Sequence, residues 1–212
     1  MVAILEEIGT ANRGLLPIAA GAAQAEAERS AGQKMQYQLL ADRPDAIPIV
    51  ARWLYEEWGR TMEGNTVEKA CERLRQRVRK DHLPLHVLAV ENGVVVGFAA
   101  LKIREMDVYP DREHWLGSVY VPQEQRGQGI ATFLIQTVIS MAPRYGVSML
   151  SLQTEREDGG LYRKLGWVPV ERVRYHGVDV TVMERHLEPK PNKASHATSE
   201  PAPSAASSSR EG

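Results

Sequence analysis

Ile47, Val50, Ala51, Leu54 and Trp58 recur at the three- and four-residue intervals that place side chains on one helix face. Arg43-Pro44-Asp45 ahead of them supplies turn and cap chemistry, so this helix is predicted to follow a first strand in MQYQLL, residues 35–40. A second stripe, Val67, Ala70, Cys71, Leu74 and Val78, predicts a second helix, with Asn65 and Glu68 spaced as a capping box at its start. The pattern then changes period. LPLHVLAV and VVVGFAALKI are rich in β-formers and flank Asn92-Gly93, a strong signal for an antiparallel hairpin. HWLGSVYV, residues 114–121, reads as a further strand. Ile130, Phe133, Leu134, Val138 and Met141 stripe a long helix, and SMLSLQT after Tyr145-Gly146 reads as the next strand. That strand-helix-strand run implies a parallel pair. A short helix in GLYRKLG ends at Gly166, and WVPVERVRY and VDVTVMERHL form a hairpin about His176-Gly177. The order β-α-α-β-β-β-α-β-α-β-β predicts a mixed α/β fold: a central mixed sheet of about seven strands with about four helices over both faces.

Residues 21–34 and 188–212 break the pattern. Both are small, polar and nearly free of large apolar side chains, so they cannot offset the entropy of ordering. We therefore expect a flexible extension at 1–34, one folded domain at 35–187 and a disordered tail at 188–212. The apolar run Leu15–Ala23, followed by Ala23-Gln24-Ala25, imitates a secretory signal. Glu6 and Glu7 stand where such a signal needs positive charge, which favours an Ala-rich leader instead.

Charge narrows the function classes. Lys and Arg number 26 against 27 Asp and Glu, so no global field recruits nucleic acid or a membrane surface, and any anion site must be local. No stretch reaches the roughly 18 uninterrupted apolar residues of a membrane span. Cys71 is the single cysteine and sits in an apolar stripe, which points to packing. The absence of a second cysteine and of a Cys/His metal cluster favours a reducing, cytoplasmic setting without a metal. Arg73, Arg75, Arg77, Arg79 and Lys80 interleave with the second helix's apolar stripe, the pattern of a solvated helix surface, and are assigned no ligand.

The candidate chemistry lies between HWLGSVYV and the long helix. In Arg126-Gly127-Gln128-Gly129-Ile130-Ala131, small residues permit close backbone approach, and the helix that follows contributes unpaired N–H groups and the positive end of its dipole. This is an anion cradle suited to phosphate or pyrophosphate, although a glycine pair before a helix also fits an ordinary turn and Arg126 a solvated charge. Neither G-x-x-x-x-G-K-[ST] nor G-x-G-x-x-G is present, which disfavours ATP and NAD. RNA binding through Gln125–Gly129 lacks both a repeated RG tract and a basic domain.

Val121-Pro122, then R-x-x-G-x-A from Arg126 to Ala131, then an apolar helix, strongly resembles motif A of the GNAT superfamily of acyl-CoA-dependent N-acyltransferases. GLYRKLGW, residues 160–167, resembles the same family's segment ending in Tyr-x-x-Leu-Gly-Phe/Trp. The resemblance implies the GNAT fold, with the fourth and fifth strands splayed to admit acyl-CoA. It implies that the backbone N–H groups of Arg126, Gly127, Gln128, Gly129, Ile130 and Ala131 hold the CoA pyrophosphate, and that Val119 and Val121 align pantetheine as an added strand. Its further implication is acetyl transfer from acetyl-CoA to an amine by direct attack, the acceptor being a small amine or a protein amine. Homodimerisation is common in the family.

By the same resemblance Tyr162 is the general acid for the departing thiolate, a role that suits a phenol with a reference pKa of about 10. Without the motif the favoured reading is an aromatic packed on a short helix. A backbone N–H near Val119 is the implied oxyanion donor. The family's acidic residue before Val-x-Pro has no counterpart in Trp115-Leu116-Gly117-Ser118-Val119. Glu105, Asp107, His114 and Glu155, near predicted strand ends, are candidate bases, although the residue types and positions by themselves favour ordinary surface residues. In WLYEEWGRTMEGN, Tyr55, Glu56, Glu57 and Trp58, with Trp53, could bind a cationic amine or simply form an amphipathic helix. The missing carboxylate also leaves a noncatalytic acyl-CoA-binding sensor or interaction module as the competing class.

Overall fold

The computed structural model describes residues 35–188; the extension expected at 1–34 and the tail beyond Glu188 lie outside them. Eleven principal elements follow in order: β1 (Gln36–Leu39), α1 (Ile47–Leu54), α2 (Val67–Arg77), β2 (Leu85–Glu91), β3 (Val94–Ile103), β4 (His114–Tyr120), α3 (Ile130–Met141), β5 (Met149–Thr154), α4 (Gly160–Lys164), β6 (Val168–Tyr175) and β7 (Val178–His186). The strands form one seven-stranded sheet in the order β1-β2-β3-β4-β5-β7-β6. The β4–β5 pair is parallel and the others antiparallel, as the α3 crossover and the two hairpins require. Asn92 and Gly93 both take positive φ, 51° and 79°, the pairing that a two-residue hairpin turn needs.

Helices cover both faces, each through its apolar stripe. Val50, Ala51 and Trp53 of α1 and Ala70, Cys71 and Leu74 of α2 pack with Leu88, Val90, Phe98 and Ala100. On the other face Ile130, Leu134, Ile135 and Val138 of α3, with Tyr162 of α4, pack with Val87, Leu101, Leu116, Val119 and Leu152. Removing these side chains from water is the main favourable term holding the layers together. Cys71 is buried among them, as its place in the stripe predicts.

The structure corrects several local expectations. The second helix is capped by Thr66, whose Oγ1 accepts from the Lys69 N–H at 3.2 Å; Asn65 instead donates to the Gly59 carbonyl at 3.1 Å. Thr66 wins the cap because its extended backbone (φ −145°, ψ 165°) aims the hydroxyl at the open helix end. Val78 lies outside that helix as its C-cap. The first strand stops at Leu39, and the fully buried Leu40 begins a 3₁₀ turn. The stripe ending at Trp58 belongs to two geometries, because α1 runs into a π-helical turn at Tyr55–Gly59.

Two departures from ladder regularity position the site. Between Phe98↔Tyr120 and Ala100↔Gly117, β3 advances two residues while β4 advances three, a bulge in which Ser118 takes φ 51°. Between β4 and β5 one pair is in register, Trp115↔Ser151, after which the strands no longer form a ladder.

Candidate active site

A 3₁₀ turn at Gln123–Gln125 leads from β4 into the glycine loop, which ends where α3 begins. Gly129 is the N-cap of α3 with φ 78° and ψ 3°, a left-handed conformation that glycine adopts without steric cost, and Gly127 has φ 76°. A Cβ built on Gly129 would meet nothing within 4 Å, so the space in front of the helix end is open. No side chain caps α3, and its first N–H groups have no acceptor within the helix. Arg126 is tied back across the loop, its Nε donating to the Val121 carbonyl at 3.0 Å. Thus an uncapped helix end, an open approach and the edge of the bulged strand occupy one side of the β4–β5 separation.

On the sheet face beneath α1 and α2 lies a cavity of about 240 Å³. Leu54 walls it from the end of α1, Tyr55, Trp58 and Gly59 from the π-helical turn, Arg73, Leu74 and Arg77 from α2, His86 from β2, Phe98, Ala100 and Lys102 from β3, and Ser118 from the β4 bulge. The π turn widens the helix where it borders this space, a common placement for such turns. The cavity and the glycine loop therefore meet β4 at different stations of the same strand.

Comparison with known proteins decides what this arrangement belongs to. The family model described as the acetyltransferase (GNAT) family matches residues 47–167, more than half of the chain. The chain belongs to the GNAT acetyltransferase family. No curated protein sequence matches it significantly. An N-acetyltransferase from Staphylococcus aureus Mu50 has a similar fold at 21% identity and TM-score 0.57, covering 73% of this chain and 99% of that one. The yncA protein from Salmonella typhimurium, solved with its cofactor acetyl-CoA, aligns at 18% identity and TM-score 0.57 over 74% of this chain and 94% of its own. An aminoglycoside 6'-N-acetyltransferase complexed with coenzyme A aligns at 16% identity and TM-score 0.55, over 75% and 99% of the two chains.

Within this GNAT domain, Val119 and Val121 are buried in the α3-side core, and Ile130 is buried at the start of α3. Arg126, Gly127, Gln128 and Gly129 form the turn between them, and Ala131 is the second residue of α3. Tyr162 is 1% exposed on α4, in the same core cluster as Val119 and Leu152, with its ring edge-on to Trp167 at 6.2 Å. Tyr55 and Trp58 line the cavity, whereas Glu56 and Glu57 do not. Those two carboxylates lie nearer Tyr120: burial, then Glu57, raise its phenol above the ordinary value, with Arg126 opposing. Tyr120 stacks on Trp53 at 5.3 Å and meets the Trp58 ring edge at 6.3 Å.

None of the four candidate bases lines the cavity. Glu105 is ion-paired to Lys102 Nζ at 2.8 Å, and Lys102 does line it. Asp107 lies by Tyr175, His114 stands 4.0 Å from Glu113 at the start of β4, and Glu155 is exposed beyond β5. Among the described residues no group of three or more His, Cys, Asp or Glu is placed to hold a metal, and no helix is long and apolar enough to cross a membrane.

The sequence reading passed over His86, Ser118, Lys102 and Gln153. His86 is 8% exposed, its ring stacked with Phe98 at 5.9 Å, and its Nδ1 has no hydrogen-bond partner. A histidine in the apolar run LPLHVLAV was the available signal. Gln153, two residues past the single β4–β5 ladder pair, is buried with neither amide atom hydrogen-bonded.

Burial, reinforced by the charges of Lys102 and Arg77, lowers the His86 pKa from 6.5 to about 4. The unfolded chain therefore binds a proton more readily than the folded one between those values. Stability is unaffected above about pH 6.5 and falls as pH drops toward 4, by about 3 kcal/mol in all. Denaturant titrations at pH 7 and pH 4 should show wild type losing that much more than His86→Gln; equal losses would mean His86 does not titrate as a buried neutral ring.

Proposed function

We propose that this domain transfers an acetyl group from acetyl-CoA to a primary amine by direct attack within a ternary complex. The observation that carries the reading is the conjunction at β4: a bulged strand in register with β5 at one pair, leading through a short 3₁₀ turn and a glycine loop into an uncapped helix. The residues present fit an acyl-CoA. The space before α3 is open at Gly129, and the N–H groups from Gly127 to Ala131 at its positive end suit a pyrophosphate, whereas the Arg126 N–H, expected to join them, donates to the Gln123 carbonyl at 3.3 Å; the β4 edge at Val119 and Val121 suits the amide groups of pantetheine. When bound, acetyl-CoA supplies an activated thioester.

The chain's own groups then have three tasks. The bulge about Ser118 turns backbone N–H groups out of the β3 ladder, where they serve as preorganised donors to the carbonyl oxygen as negative charge develops. Tyr162 gives its phenolic proton to the departing thiolate. Glu105, whose ion pair reaches the lining residue Lys102, takes the amine proton through water. A nitrogen–carbon bond forms, the carbon–sulfur bond breaks, and the products are an N-acetyl amine and the CoA thiol.

Acceptor-dependent release of CoA thiol, measured across a panel of primary amines, tests this reading. An enzyme shows release that rises with amine concentration and yields one acetyl product per thiol. Calorimetric binding of acetyl-CoA with no release on any amine would favour the noncatalytic sensor.

A further inference from the structure

Every titratable side chain lining the cavity beneath α1 and α2 is basic or neutral at pH 7. Arg73, Arg77 and Lys102 are the cations, His86, Tyr55 and Cys-free apolar walls make up the rest, and no Asp or Glu lines it. Lys102 is answered by Glu105 outside the lining. Arg73 donates to a neutral acceptor, the Asn65 side-chain oxygen at 2.8 Å. Arg77 has no ion pair among the described residues, and it stands one helical turn from Arg73, so two guanidinium forks share one edge of α2. On the opposite wall the Lys102 stem lies across Gly117, where a Cβ would come within 3.0 Å of it. Two buried nitrogens at this site, His86 Nδ1 and Trp58 Nε1, have no hydrogen-bond partner.

Resting on the acetyl-transfer reading above, we propose that the acceptor is a small primary amine that also carries a carboxylate, its amine at the Ser118 bulge and its carboxylate held by Arg73 and Arg77. The cavity spans the distance between those two ends, since its walls include both β4 and α2. Guanidinium forks bind carboxylates bidentately, a preference that ammonium groups lack. At about 240 Å³ the space is smaller than the roughly 300–1,000 Å³ pockets of drug-sized ligands and suits a molecule of amino-acid size. A polycationic acceptor would bring its second ammonium against Arg73, Arg77 and Lys102 with no lining carboxylate to receive it. Burial chiefly holds His86 neutral, and the same cations add to it, since Lys102 and Arg77 both oppose its protonation.

The test compares free amino acids with their C-terminal amides, which lack the negative charge, alongside aliphatic diamines, using thiol release on wild type and Arg77→Gln, each variant's acid-to-amide ratio being set against the wild-type ratio so that the different basicity of the two amines cancels. Arg77 is exposed on α2, so its replacement leaves the core intact. The free acids should exceed their amides by about tenfold or more in kcat/KM, and that ratio should collapse toward one in Arg77→Gln and further in Arg73→Gln/Arg77→Gln. Amides or diamines turned over as well as the acids would overturn the proposal, and so would acetyl-CoA binding with no free acid accepted. Acetyl-CoA that fails to bind sinks the transfer reading instead. In that case calorimetric titration of the free acids alone still decides: binding weakened by Arg77→Gln supports the anion site, and no binding refutes it.

Discussion

Gly129→Glu should abolish acetyl-CoA binding, weakening it at least about 100-fold in calorimetry at neutral pH. The carboxylate would project into the open space before α3, where a Cβ meets nothing, and would set negative charge against the phosphates that the helix end is placed to receive. A second cost is conformational, since any residue with a Cβ at φ 78° is strained by about 1–3 kcal/mol. Gly146→Glu separates the two effects. Gly146 also takes a left-handed φ, 77°, with nothing near its Cβ, but it ends the 3₁₀ turn after α3 instead of beginning that helix. Both variants should lose similar stability, and Gly146→Glu should keep the cosubstrate. Retained binding in a folded Gly129→Glu protein would reduce the loop to an ordinary turn.

The loop was readable in sequence because everything that makes it is local: two glycines two apart, then an apolar helix. The hairpins were readable for the same reason, Asn92-Gly93 and His176-Gly177 both taking the positive φ that their turns demand. The Ser118 bulge carried no such signal, because a bulge is a mismatch between two strands and neither strand alone records it. Cap choice failed at finer scale: Asn65 and Thr66 are both good N-cap types, and only the backbone decides which faces the helix end. The cavity is the extreme case. Its walls come from the α1 end, α2, β2, β3 and β4, so Arg73 and Arg77 looked like solvated charges when their helix was read by itself. They are indeed exposed, and they also edge a cavity. A helical stripe reports which face is apolar, whereas the partner of its polar flank is a tertiary fact.

Tyr162→Phe should lower kcat by about 100-fold or more, within the range that a positioned general acid contributes, while leaving acetyl-CoA affinity near the wild-type value. The substitution removes one oxygen from a side chain that is 1% exposed and packed edge-on to Trp167, and phenylalanine keeps that ring contact. The variant's melting temperature therefore separates chemistry from folding: a stable protein with slow turnover has lost a proton donor, not its core. How the loss is divided matters as much as its size. A fall in kcat and kcat/KM together marks an interaction made in the transition state, and a rise in KM alone would make Tyr162 a wall of the cosubstrate site. Equal kcat for Tyr and Phe at every pH would require the thiolate to leave without this proton. The short α4 would then serve only to close the core over Val119 and Leu152, the strands between which the cosubstrate is proposed to lie.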